Sequence, residues 1–259
     1  MNMKTIRQVR SSKVPEVTLA FWIIKIAATT VGETGGDALS MTEHLGYAVS
    51  TAIFATIFIA TVSAQVAARS FHPFLYWAVI VATTTAGTTM ADYADRSLGI
   101  GYVGGSLILF TILMIVLGSW WFAVGSVSVS RITTPKVEIF YWVTILFSNT
   151  LGTALGDFLA DAGLGYEGAA VVFAAALALV AAAYFYTKIS HALLFWAAFI
   201  LTRPLGATLG DILTKPHTNG GLNLGRITSS AIIALFMVAC ILFTRQRAGG
   251  HPGESEQHP

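Results

Sequence analysis

Long apolar runs, each close to the roughly 20 residues that an α-helix needs to cross the hydrocarbon of a bilayer, alternate along this chain with short polar connections. They predict eight spans, at Glu16–Thr34, Tyr47–Ala67, Phe74–Ala91, Tyr102–Phe122, Val137–Leu155, Gly168–Tyr186, Ala192–Gly210 and Ile227–Phe243. The odd-numbered runs differ from the even ones. Each odd run carries a Trp preceded by another aromatic residue, a Gly ten residues after the Trp and an Asp five residues after that Gly. The sets are Trp22, Gly32, Asp37; Trp77, Gly87, Asp92; Trp142, Gly152, Asp157; and Trp196, Gly206, Asp211. The even runs lack this pattern and read as supporting walls. Three of them open with Gly-Tyr, at Gly46-Tyr47, Gly101-Tyr102 and Gly165-Tyr166, and the fourth, at Gly225-Arg226, departs from it.

A two-span repeat returns the chain to the side it started from, so the four repeats share one orientation and are related by an axis along the membrane normal. The expected fold is an all-α membrane protein with eight transmembrane helices, built from four parallel two-helix repeats around a pseudo-symmetric axis. Its expected domains are a basic cytoplasmic segment, 1–13, one transmembrane domain, 14–246, and a disordered cytoplasmic tail, 247–259. The repeats within it fall at about 14–69, 70–131, 132–188 and 189–246.

On a helix advancing about 100° per residue, positions 0, 7, 10, 11, 14 and 15 after the Trp share an arc of roughly 140°. Position 7 is Thr29, Thr84, Asn149 and Arg203, position 11 is Glu33, Thr88, Thr153 and Ala207, and position 14 is Gly36, Ala91, Gly156 and Gly210. Each repeat therefore has small-xxx-small spacing beside a polar stripe, the arrangement that lets helices in lipid approach closely. Four such stripes turned toward one axis predict a ring of carboxylates roughly 22 Å beyond the Trp layer. A break at the glycines of Gly32–Gly36 would pull that ring deeper. The alternative for each Asp is a cap at a wet helix end, and for each Trp an interhelical or interfacial anchor rather than a gate.

Composition agrees with the membrane reading: 55% of the 259 residues are hydrophobic, 11% are charged and the mean hydropathy is +0.70. The net charge of +2 conceals an asymmetry. The N-terminal Lys4, Arg7, Arg10 and Lys13, together with Arg69, Arg131, Lys136, Lys188, Arg245 and Arg247, fall on one side, and Arg96, Lys215 and Arg226 on the other. By the positive-inside rule both termini are cytoplasmic. The first apolar run is too long for a signal-peptide core and lacks a small-residue cleavage site, so it is read as a retained span.

Lys25, Glu33 and Arg203 occur in one repeat each and fall inside spans, where an unpaired charge is costly and marks a functional or ion-paired position. They are assigned to coupling or charge balance (Lys25, Arg203) and to the ion site (Glu33). Arg203 is placed to neutralise one Asp of the ring, and Pro204 beside it is expected to kink or break the seventh span. The lone Cys240 excludes an internal disulfide. His72, His191 and His217 lack a second soft or imidazole ligand at metal spacing, and His251 with His258 lies in the polar tail. The available oxygen ligands suit hard cations or protons.

The two-span units beginning at Phe21-Trp22, Tyr76-Trp77, Tyr141-Trp142 and Phe195-Trp196 resemble a family of bacterial membrane proteins defined by four tandem repeats of unknown function, with two transmembrane segments and a characteristic Trp per repeat. The resemblance runs from about Val14 to Phe243 and implies a multi-pass protein of the bacterial inner membrane. It implies no activity.

The residues themselves lead to a secondary transporter for a small cation, a hard divalent metal such as Mn²⁺, exchanged against protons. Asp37, Asp92, Asp157 and Asp211 form the expected ion site, with Glu33, Thr88, Thr153 and Asn149 adding oxygens. Trp22, Trp77, Trp142 and Trp196 and Gly32, Gly87, Gly152 and Gly206 have structural or gating roles. One alternative is an organic-solute carrier in which the Trp residues stack on the substrate while Arg203 or Lys25 holds its anionic group. Another is a non-transporting scaffold or sensor whose Asp residues all cap helices or form ion pairs. No His-Glu-x-x-His pair, nucleophile elbow or phosphate loop occurs, so the chain is not expected to be an enzyme. The expected partners are membrane lipids and the transported ion or solute, with a homo-oligomer left open, no nucleic acid and no cofactor.

Overall fold

The computed structural model describes residues 12–127, 129, 132 and 134–249. Lys4, Arg7, Arg10, Arg131 and most of the expected tail, with His251 and His258, lie outside the described residues. The described residues are mostly helical: α1 (Leu19–Asp37), α2 (Gly46–Ala67), α3 (Pro73–Asp92), α4 (Gly101–Val124), α5 (Pro135–Leu159), α6 (Gly165–Tyr186), α7 (His191–Thr214) and α8 (Arg226–Phe243).

Local chemistry starts these helices. Thr18 caps α1 by accepting from the Phe21 amide, and Thr134 caps α5 by accepting from Val137. Pro73 and Pro135 occupy first-turn positions, where the missing N–H has no partner to lose. At the other end of the first three repeats the helix widens into a five-residue π-helical turn, Ala38–Thr42, Tyr93–Ser97 and Ala160–Leu164. Each turn leads to a pair of left-handed residues, His44 and Gly46, Gly99 and Gly101, or Gly163 and Gly165. Glycine is favoured there because a Cβ is strained at positive φ, and this explains the Gly that precedes each helix-opening Tyr.

The count of eight spans is corrected in one respect. Helical hydrogen bonding carries from α5 through Ala160–Leu164 into α6, so the described residues contain seven continuous helical runs. The link is short enough to be wound as a wide helical turn, with Gly163, at φ 101°, absorbing the break in direction. Six of the runs are long and apolar enough to cross a membrane. The run beginning with α1 is not among them, because Lys25 and Glu33 in its middle raise its polarity.

Two expected breaks are absent. The α1 helix passes through Gly32, Gly35 and Gly36 to Asp37 without a break, and α7 runs unbroken through Pro204. Gly152 and Gly156 of α5 lie against Pro204 of α7.

The odd helices contact one another in the cyclic order α1, α3, α5, α7 and back to α1. Each even helix packs chiefly on the odd helix of the following repeat, α2 on α3, α4 on α5 and α6 on α7, and α8 closes the circle on α1. The ends of the described chain meet accordingly. Pro15 pairs with Ala248, the Glu16 amide donates to the Arg247 carbonyl (2.9 Å) and the Gly249 amide donates to Val14 (2.9 Å). The core lies between the odd helices: 72% of the apolar window of α3 is buried, against 17% for α2, α4 and α8. The outer helices expose large apolar side chains, among them Val103, Leu107, Phe110 and Ile115 of α4.

Candidate functional site

The axis between the odd helices is built in layers, each repeating one contact around the ring. In the first layer, the aromatic residue before each Trp meets the Trp of the next repeat. Phe21 packs on Trp77 (5.4 Å between ring centroids), Tyr76 on Trp142 (5.6 Å), Tyr141 on Trp196 (6.2 Å) and Phe195 on Trp22 (5.7 Å). Tyr76 and Tyr141 share a buried hydrogen bond of 2.8 Å. Trp77 and Trp196 also donate from Nε1, to Gln246 and to the Val127 carbonyl.

Above this layer each repeat Gly seats the position-7 residue of the next repeat. Gly32 lies against Thr84, Gly87 against Asn149, Gly152 against Arg203 and Gly206 against Thr29. A Cβ at Gly32, Gly152 or Gly206 would collide with these neighbours and one at Gly87 would sit 3.0 Å from the Thr150 nitrogen, so the small-residue spacing is used for close approach of the helices. The Thr84 and Thr29 hydroxyls exploit that approach by donating across to the carbonyls of Ala28 and Thr202, both at 3.2 Å.

Lys25 sits on α1 with no exposure to solvent. Its ammonium donates to Asn149 Oδ1 (3.4 Å) and lies 4.0 Å from the Phe199 ring centroid. Asn149 in turn donates to Thr83 (3.1 Å), so it holds Lys25 and is not turned to a carboxylate. Arg203 does not neutralise a ring Asp. Its Nη2 is 3.0 Å from Glu33 Oε2 and donates to the Thr88 hydroxyl at 2.6 Å, with Thr88 also 3.3 Å from the same Glu33 oxygen. Thr153 donates to the Asn149 carbonyl (3.2 Å).

The four repeat Asp residues lie at the far ends of the odd helices, all buried. They do not form a bare ring. Arg96 joins Asp92 (3.0 Å) to Asp157 (3.0 Å), and Lys215 joins Asp211 (3.1 Å) to Asp37 (2.8 Å). Arg226 adds a longer contact to Asp37, 3.6 Å. In both bridges the cation takes the Asp of its own repeat and that of the next, so a packing that repeats four times carries a charge pattern that repeats twice. Burial opposes the charge of Lys215, but Asp211 and Asp37 outweigh it and hold its pKa above the ordinary lysine value.

Arg96, Lys215 and Arg226, which the sequence placed only on one side of the membrane, supply the cations of these contacts. A signal for two of them was present. Arg96 and Lys215 each follow a repeat Asp by four residues, the spacing that faces two side chains on one helix. The equivalent positions in the first and third repeats are Met41 and Asp161.

Glu33, Asp157 and Asp211, all buried, each bring one carboxylate oxygen to a common region where these atoms lie within 4.8 Å of one another. The residues come from α1, α5 and α7. Asp37 and Asp92 are not members of that group. Asp37 Oδ1 and Asp92 Oδ2 are buried without a hydrogen-bond partner among the described residues.

Four segments of the chain, residues 20–71, 75–126, 140–190 and 194–248, match the family model described as Repeat of Unknown Function (DUF347). No curated protein and no solved structure matches the chain.

Proposed function

Because the chain belongs to the DUF347 repeat family, whose description assigns no activity, its function rests on the residues, and we propose a secondary transporter that exchanges a small hard cation, such as Mn²⁺, against protons. The observation that carries this reading is the convergence of Glu33, Asp157 and Asp211. Three buried carboxylates this close repel one another unless positive charge is supplied, and protons and a cation supply it interchangeably. Arg203, Arg96 and Lys215 each hold one of the three in an ion pair. An entering cation competes with these side chains, and their release is the event that links ion binding to movement of the helices that carry them.

The setting supports a multi-pass carrier of the inner membrane. The outward faces of the even helices are apolar, as lipid contact requires. Lys136, Lys188, Arg245 and Arg247 lie near the Trp ends of the odd helices, which supports a cytoplasmic location for that end by the positive-inside rule. The chain contains no phosphate loop, so an ion gradient is the proposed energy source.

The test is thermal stability of the purified protein with Mn²⁺, Mg²⁺, Ca²⁺ and Zn²⁺ across pH, followed by flux in proteoliposomes under a pH gradient. The expected result is stabilisation by one ion, weakened at low pH and lost in Glu33→Gln and Asp157→Asn. A second reading, a non-transporting scaffold, draws support from the ion pairing of all four repeat Asp residues. It prevails if no ion stabilises the protein and no gradient-driven flux appears.

A further inference from the structure

Lys25 and Arg203 bring two positive charges together in the interior of the ring, and both side chains have no exposure to solvent. Phe199, whose ring lies beneath the Lys25 ammonium, is one helical turn before Arg203 on α7. Asn149, which accepts from Lys25, is about one turn before Gly152 on α5, and Gly152 lies against the Arg203 side chain. The two basic side chains therefore occupy neighbouring layers between α1, α5 and α7.

Glu33 balances one of them. Lys25 has no carboxylate within ion-pairing distance among the described residues. Arg203 uses Nη2 alone, while Nε and Nη1 are buried with no hydrogen-bond partner. Buried N–H groups without acceptors are strongly disfavoured, and more so when they carry charge. One excess positive charge and a set of donors without acceptors share the same place.

We propose that a small monovalent anion of halide size binds here, accepting from the Lys25 ammonium and from Nε and Nη1 of Arg203. One negative charge balances what Glu33 leaves over. The size limit follows from enclosure: Lys25 and Arg203 have no exposure to solvent and Gly152 packs against the Arg203 side chain, so the guest is a small ion. The site lies on the Trp side of the Glu33, Asp157 and Asp211 cluster and does not depend on the cation reading. An anion there would hold Arg203 in place while Glu33 exchanges its partner.

The test is the melting temperature of the purified full-length protein in chloride, bromide or gluconate, without divalent metal, at one pH and ionic strength. Saturating chloride or bromide is expected to raise it by about 5 °C over gluconate, and Lys25→Met is expected to abolish the difference. If Lys25→Met does not fold, anomalous scattering from bromide-soaked crystals of the unmodified protein serves instead, with a peak expected in contact with Lys25 Nζ and Arg203. Equal melting in chloride and gluconate, a chloride shift that Lys25→Met retains, or bromide peaks only elsewhere would each overturn the proposal. The presence or absence of divalent-metal stabilisation decides the transport reading separately.

Discussion

The Nζ of Lys215 lies 2.8 Å from Asp37 Oδ2, so the end of the fourth odd helix is tied to the end of the first across 178 residues of sequence. The same ammonium is 3.1 Å from Asp211 on its own helix. Together with Arg96, which ties Asp92 to Asp157, this contact closes the far end of the ring with two ion bridges set opposite one another.

Replacing Lys215 with Met leaves two buried carboxylates without their shared cation. Loss of one partner of a buried pair costs about 3–5 kcal/mol, and chemical denaturation should register a loss of that order. Adding Asp37→Asn and Asp211→Asn should restore part of it. The pKa of Lys215 is raised on folding, so its contribution is fully present below the unfolded value, near 10.4, and is lost only as pH rises through the still higher folded value. The stability difference between the native protein and Lys215→Met should therefore stay constant from pH 7 to pH 10.

Asp92 and Asp157 share Arg96, so their substitutions should not add. In a cycle of Asp92→Asn, Asp157→Asn and the double variant, a coupling of about 0.5–3 kcal/mol is expected. Additive stability changes would show that the bridge carries no energy.

Glycine substitutions should separate contact from composition. Gly152→Ala places a Cβ 2.6 Å from Arg203 Cγ and 3.0 Å from Pro204 Cδ, and overpacking of this kind costs about 1–3 kcal/mol. Gly118→Ala in α4 meets nothing within 4 Å and should be neutral or stabilising by about 0.5–1 kcal/mol. Melting temperatures of the two variants test the ordering.

The Tyr76–Tyr141 hydrogen bond joins two buried hydroxyls. Tyr76→Phe strands the remaining hydroxyl and should destabilise by about 1–3 kcal/mol, whereas Tyr76→Phe with Tyr141→Phe should be close to neutral. Equal losses in the single and double variants would indicate that the ring loses packing rather than a hydrogen bond.

The sequence by itself determined the helices, their alternation and the face that each odd helix turns inward, because length, apolarity and a period near 3.6 are local properties. It also marked Gly32, Gly87, Gly152 and Gly206 as contact positions, since small residues at helical spacing serve little else in an apolar run. The π-helical turns, the helicity of α7 through Pro204 and the continuity of α5 into α6 were not legible in the local pattern. Only the tertiary structure decided which charge meets which. Arg203 met Glu33 rather than an Asp, Lys25 met an amide and a ring, and Arg96 and Lys215, in the connections, bridge pairs of repeats. The reason is physical: an ion pair is set by separations of a few ångströms between helices, and those separations are fixed by the order in which α1, α3, α5 and α7 close the ring.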